Sequence, residues 1–405
     1  MQVVHEWCGG LDVHKKTVVA CVMTPRGKSI RSFATVTRDL LGMVDWLEQE
    51  QVTDVAMEST GVYWKPIFNM LESTEIKAVV ANARQIKTVP GRKTDVKDAE
   101  WICDLHRHGL IRPSFIPERA QRELRELVRT RRTVIEQRAD EVRRIHRLLE
   151  GANIKLGDVA SDVMGVSGRA MLQALAAGLE DPAQLAGLAR TSLRRKRQRL
   201  ELALEGSVGP HLRFMLRHHL DQVQFLEAQI ERLNVEIEQR MHPFDAAIEM
   251  LDRIPGLGRR SAESILAEIG IDMSPFPSDK HFSSWAKLCP GNNESAGKRR
   301  SGATGQGNPW LRSALVEAAW AASRNPDTYY GALYRRLATR RGKKRAIVAV
   351  AHALLIAIYH MLKDGTHYFD LGPEHFDKLD REAIARRSIR RLERLGFNVT
   401  ITPAA

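Results

Sequence analysis

At about residue 117 the sequence changes period, and that switch constrains the fold more than any single motif does. Before it, short runs rich in β-branched residues alternate with segments of helical spacing; after it, long charged stretches keep a helical repeat. The run WCGGLDVHKKTVVACVM reads as β structure, and it continues through the turn residues Pro25 and Gly27 into a second strand, SIRSFATV. An amphipathic helix, DLLGMVDWLEQEQ, follows. Then come a short strand, DVAMEST, with Glu58 at its end, a helix from about Tyr63 to Leu71, and the strand EIKAVVANA. The order β-β-(β)-α-β-α-β, followed by another helix, predicts an α/β domain with right-handed crossovers. Its sheet should be largely parallel and extended by an antiparallel hairpin. A sheet of that kind gathers the side chains at the ends of its adjacent strands.

Four acids fall where such gathering would matter. Asp12 lies on the first strand, Glu58 ends a later one, and Asp95 and Asp98 stand three apart in KTDVKDAEWICDLH, whose helical character puts both carboxylates on one face. The positions are those an RNase H-like fold would bring to one point. Four carboxylates there repel by about 4 kcal/mol per close pair at an effective dielectric of about 20. Divalent cations resolve the repulsion. Oxygen-only donors favour Mg²⁺ or Mn²⁺, and two such ions about 4 Å apart can activate a nucleophile and stabilise a leaving oxygen in phosphodiester cleavage. Structural uses of the same residues exist: Asp95 and Asp98 as the N-cap and N3 acid of their helix, Glu58 as a solvated strand end, Asp12 as part of a turn after Gly9-Gly10. Acids in all three places at once make a metal site the stronger reading.

The formal net charge of +13 points to polyanionic partners. With 405 residues the chain should hold two or three domains. Cys8, Cys21, Cys103 and Cys289 are scattered without a C-x-x-C pair, so neither a zinc site nor a disulfide framework is expected, and a reducing, cytoplasmic setting fits. The amino terminus lacks the basic and apolar regions of a signal peptide. AIVAVAHALLIAIYHML (346–362) carries His352 and His360 and reads as a buried core helix rather than a membrane span.

Residues 118–150 and about Pro210 to Met241 form two long amphipathic helices with no obvious globular neighbour, as in an antiparallel hairpin or coiled coil. Between them, Arg194, Arg195, Lys196 and Arg197 are dense enough to prefer a phosphate backbone. Further on, Ile254-Pro-Gly-Leu-Gly258 precedes RRSAESILAEIG. Gly256, Gly258, Arg259 and Arg260 there fit a helix-hairpin-helix that offers amides and cations to a DNA phosphate, although a plain helix–helix turn has the same signature. Ser295 stands in a Gly/Asn-rich loop beside Lys298, Arg299 and Arg300, with Ser301 close behind. Physics alone favours an ordinary loop serine at that position.

GLDVHKK, MESTGVYW, KTDVKDAEWICDL, IPGLGRRSAESILAEIG and CPGNNESAGKRRSGATGQGNPWLRSALVEAAWAA, in that order, resemble the transposases of the bacterial insertion-sequence 110 family. The resemblance covers about 8–117 and 250–335. It implies a RuvC-like DEDD domain over 1–117 with Asp12, Glu58, Asp95 and Asp98 as its metal ligands, and a helical coiled-coil linker or dimerisation region over 118–249. An all-α transposase domain with a catalytic serine would span 250–335, and a basic helical extension 336–405. It further implies that Ser295 attacks the scissile phosphate, that a structured guide RNA pairs with target and donor DNA, and that the protein works as a homodimer or homotetramer, nucleoid-associated during transposition. This chain reads ESAGK where many relatives have two adjacent serines, which leaves Ser301 as a rival nucleophile. Two alternatives stay open: a junction-resolvase-like nuclease that uses water, and a non-catalytic nucleic-acid-binding protein.

Overall fold

The computed structural model describes residues 2–59, 61–82, 86, 98–291, 293–295, 298–379 and 381–400, with backbone alone at 293–295, 298–301 and 383. It divides into two compact units, Met1–Arg119 and Ala120–Ala405.

The first unit is built on strands β1 (Cys8–Val13), β2 (Thr17–Thr24), β3 (Gly27–Ala34), β4 (Asp54–Glu58) and β5 (Lys77–Ala81), with helices α1 (Thr37–Gln49), α2 (Trp64–Leu71) and α3 (Asp98–Arg107). The run at 7–23, expected as one strand, is two: the chain turns back at 14–17, where the His14 amide donates to the Thr17 carbonyl at 2.9 Å. Sheet order is β3-β2-β1-β4-β5. Only β1–β4 and β4–β5 pair in parallel, while β1–β2 and β2–β3 are antiparallel. The antiparallel part is therefore as large as the parallel part, larger than a single appended hairpin.

Alternation of side chains across the strands makes this sheet a middle layer. Leu11, Val13, Val55, Met57 and Val80 point into a core with Met43 and Leu47 of α1 and Ile67 and Leu71 of α2. Cys8, Ala56 and Ala81 point the other way, toward Ala99, Ile102 and Cys103 of α3. Gly10 sits where α3 passes closest: a Cβ there would run into the backbone of Ala99 and Cys103, 2.7 Å from the Cys103 Cα. Cysteines scattered in sequence meet in this layer, with the Cys8 and Cys103 sulfurs 3.8 Å apart and Cys21 in the same cluster; all three are free thiols.

Among the described residues, the second unit is helical apart from one hairpin. Helix α4 (Arg119–Gly151) is followed by α5 (Leu156–Val159), α6 (Val166–Ala177), α7 (Pro182–Gly187), a 3-10 turn (Thr191–Lys196), α8 (Arg197–Leu204) and α9 (Pro210–Met241). Helices α4 and α9 are antiparallel, tied by Arg138 to Glu227 at 2.7 Å, His219 to Glu141 at 2.8 Å and Arg240 to Glu123 at 3.1 Å. They do have a globular neighbour, contrary to the sequence expectation. Leu156, Met171, Leu172, Leu185 and Leu200 from the short helices close a core over Ile145 and Leu149 of α4 and Leu216 and Val223 of α9. Each short helix is too brief to show a long period, but together they bury one apolar face.

The chain continues through α10 (Asp245–Asp252), α11 (Arg259–Ile269), α12 (Asp279–Ala286), β6 (Asn293–Ser295), β7 (Lys298–Ser301), α13 (Pro309–Arg324), α14 (Tyr329–Arg341), α15 (Lys343–Asp364), α16 (His375–Leu379) and α17 (Arg381–Arg394). The antiparallel pair β6–β7 corrects the all-α expectation for this part. Helix α15 is long and apolar enough to cross a membrane by composition, yet half of that apolar window is buried inside the protein, with Val350, Leu354, Leu355 and Ile358 fully covered. The amino end of α4 is also locked in place. Arg129 makes a two-pronged contact at 2.7 Å with Glu268 of α11, Arg131 reaches Glu263 at 3.0 Å, and Asn308, the N-cap of α13, donates to Glu268 at 2.5 Å.

Candidate active site

Asp12 is the penultimate residue of β1 and Glu58 the last of β4. The two strands pair in parallel from Cys8–Asp54 to Leu11–Met57, so one step on the acids stand side by side at the carboxyl ends of strands about 4.8 Å apart. Their parity matches Gly10 and Ala56, which puts both on the face covered by α3. That helix runs against β1. Its Arg107 carbonyl accepts from the Val4 and His5 amides, its Cys103 meets Cys8, and its Ala99 abuts Gly10. Asp98, first residue of α3, therefore lies at the Asp12 end of the sheet. The missing Cβ of Gly10 is what allows this approach.

Three of the four expected acids thus converge on one sheet edge, and Asp95 falls outside the described residues. Asp12 is half-buried, and its Oδ2 lies 3.1 Å from His14 Nε2; Glu58 is half-buried and Asp98 exposed. Carboxylates alone form this donor set, which suits a hard divalent cation. Among the described residues, however, the three-ligand group with donors all within 4.8 Å of one another is a different one: His5, Asp54 and His106, at the opposite end of the same strands. No sequence signal pointed to it, because the three residues are far apart in the chain. Burial holds the His106 imidazole down at about 4, so it is neutral at pH 7.

The remaining candidates lie in the second unit. Ser295 ends β6 and pairs across the hairpin with Lys298, and Arg299 pairs with Glu294. The loop read from sequence is thus a β-hairpin that presents Ser295 next to its turn, with Arg300 following on β7. Just beyond it, Pro290, Ala303 and Thr304 form one side of a cleft of about 1000 Å³, with Arg341, Lys344, Arg345 and His352 on the other. Arg341, Lys344 and Arg345 belong to the basic extension expected over 336–405. Lys344 and Arg345 occupy the first turn of α15, where the helix dipole disfavours positive charge by about 0.3–1 kcal/mol each. An anion in the cleft would offset that cost.

At the expected helix-hairpin-helix, two helices are joined by a tight turn, as either reading of the sequence required. Gly256 has φ +85°, and a Cβ on it would lie 2.7 Å from the Ala322 Cα, so packing against α13 demands this glycine. Arg259 is engaged by Asp245 at 3.0 Å and Glu263 at 3.3 Å, whereas Gly258 and Arg260 face open solvent. In the other basic run, Arg194 and Lys196 bond the carbonyls of Ala189 and Val159, and Arg197 pairs with Glu201, while Arg195 is exposed.

An α/β unit with acids gathered at one sheet edge is thus joined to a helical unit rich in arginine and lysine. A family profile described as transposase, of the DEDD IS110 type, matches residues 9–154, and a second, described as the transposase IS116/IS110/IS902 family, matches 248–335. The chain is 26% identical over 335 residues to y4pF/y4sB of Sinorhizobium fredii, a protein named as a transposase, covering 80% of this chain and 77% of that one. It is 29% identical over 154 residues to the pilin gene-inverting protein of Moraxella bovis, covering 36% of this chain and 45% of that relative. The chain thus carries both transposase domains of the IS110 type.

Proposed function

We propose that this protein is an insertion-sequence recombinase that cuts and rejoins DNA with Ser295 as nucleophile and Asp12, Glu58, Asp95 and Asp98 as a Mg²⁺ or Mn²⁺ site, directed by a structured RNA. The convergence of Asp12, Glu58 and Asp98 at one sheet edge carries this reading, because acids at the carboxyl ends of β1 and β4 and at the start of α3 make an oxygen-only donor set. A divalent ion bound by these carboxylates would supply charge stabilisation at a scissile phosphodiester. The Ser295 hydroxyl would attack phosphorus and expel one DNA oxygen, leaving a phosphoserine link that a free DNA hydroxyl later reverses. Lys298, Arg299 and Arg300, together with Arg341, Lys344 and Arg345 of the neighbouring cleft, would hold the phosphate backbone and neutralise developing charge. Exposed Arg195 and Arg260 would add backbone contacts. Phe214 and Phe225 lie exposed about three turns apart on α9 and suit a contact between copies.

Incubation with cognate DNA and Mg²⁺ followed by denaturing electrophoresis should trap a protein–DNA adduct, and Ser295→Ala should abolish it while Ser301→Ala retains it. Cleavage that persists in Ser295→Ala, with no adduct from either protein, would establish the water-using nuclease instead.

A further inference from the structure

The recombination chemistry leaves the His5, Asp54 and His106 group unused. His5 precedes β1, Asp54 opens β4, and His106 lies in the last turn of α3, so the group occupies the amino ends of the strands, remote from Asp12 and Glu58 at their carboxyl ends. Backbone hydrogen bonds from Val4 and His5 to the Arg107 carbonyl, at 2.9 and 3.1 Å, hold the amino-terminal segment against the end of α3. The two imidazoles stack, with ring centroids 4.5 Å apart and 14° between planes, so the more exposed His5 ring must turn out of the stack to share an in-plane ion with His106. His5 Nδ1 stands 3.5 Å from Asp54 Oδ2, which also accepts the Thr53 hydroxyl at 2.8 Å. Two donors at 2.0–2.1 Å from one tetrahedral ion stand about 3.4 Å apart.

A second observation is independent of that spacing. His106 is 4% exposed, and its Nε2 has no hydrogen-bond partner. Burying an imidazole nitrogen without a partner costs about 1–3 kcal/mol. A metal ligated by the ring removes that cost. Imidazole nitrogens favour a borderline transition metal over Mg²⁺, and two histidines with one carboxylate form a known zinc donor set that leaves one position for water.

We propose that His5, Asp54 and His106 form a Zn²⁺-type site, distinct from the carboxylate site, that staples the amino-terminal segment to β4 and the end of α3. The full-length protein, stripped with chelator and held in excess Mg²⁺ to occupy carboxylate sites, would be titrated with Zn²⁺ by calorimetry and with Co²⁺ by visible absorption. Wild type should take up one Zn²⁺ per chain, give the intense visible bands of tetrahedral Co²⁺, and melt several degrees higher with saturating Zn²⁺. His5→Gln and Asp54→Asn, both at partly exposed positions that tolerate folding, should each weaken uptake by at least about tenfold and remove the bands. His106→Asn serves as a third variant wherever its melt remains cooperative. Absence of Zn²⁺ uptake by wild type, or equal uptake by wild type and the His5 and Asp54 variants, would overturn the proposal.

Discussion

Asp12→Asn should lower Mg²⁺-dependent DNA cleavage by about 10²–10³-fold while leaving the fold intact. The side chain is half-buried at a strand end, so its charge is removed without opening a cavity in either core. Neutralising one of several neighbouring acids also relieves like-charge repulsion. The metal-free variant should therefore melt at the wild-type temperature or slightly above, and the rise in melting temperature that Mg²⁺ gives wild type should shrink. Cleavage within about tenfold of wild type, measured on the same DNA, would remove Asp12 from the chemistry and contradict the carboxylate metal site.

The second large effect is structural. Glu268 is 1% exposed and receives Arg129 through two bonds at 2.7 Å and the Asn308 amide at 2.5 Å, with Arg125 Nε 3.6 Å away. Asn308 also caps α13, accepting from the amides of Trp310 and Leu311. Glu268→Ala would deprive the part-buried guanidinium groups of Arg129 and Arg125 of their carboxylate and loosen that cap at once. Because the Arg129 side chain is 35% exposed, a loss of about 3 kcal/mol, the low end for removing one partner of a buried pair, is expected, which is roughly 5–10 °C in the melting of the second unit. Glu268→Gln, which keeps the shape and the amide-accepting oxygen, should cost less than Ala. A change under about 1 kcal/mol in Ala, read by urea unfolding, would mean that solvent reaches the site and screens it.

Much of the first unit was legible because two-residue alternation and strand–helix order act locally. Glu58 at the end of β4 and the helix at 64–71 follow from such patterns. The reversal at 14–17 was not, since His-Lys-Lys carries no glycine or proline to mark a turn. Convergence of Asp12, Glu58 and Asp98 could be anticipated only as a consequence of topology, and its enabling feature, the close approach of α3 over Gly10, depends on tertiary packing. The cap over α4 and α9 escaped because its helices are short. The basic cleft escaped because Arg341, Lys344 and Arg345 gain meaning only from Thr304 opposite them. Gly256 also has a duty that no local pattern shows: only a glycine leaves room for Ala322 of α13.

The most direct test of the recombinase reading is to digest the trapped protein–DNA complex with protease and nuclease and sequence the modified peptide by mass spectrometry. The proposed function predicts a nucleotide mass on the peptide that contains Ser295, localised to that residue. A nucleotide on Ser301 or any other side chain, or cleaved DNA with every protein peptide unmodified, would contradict it.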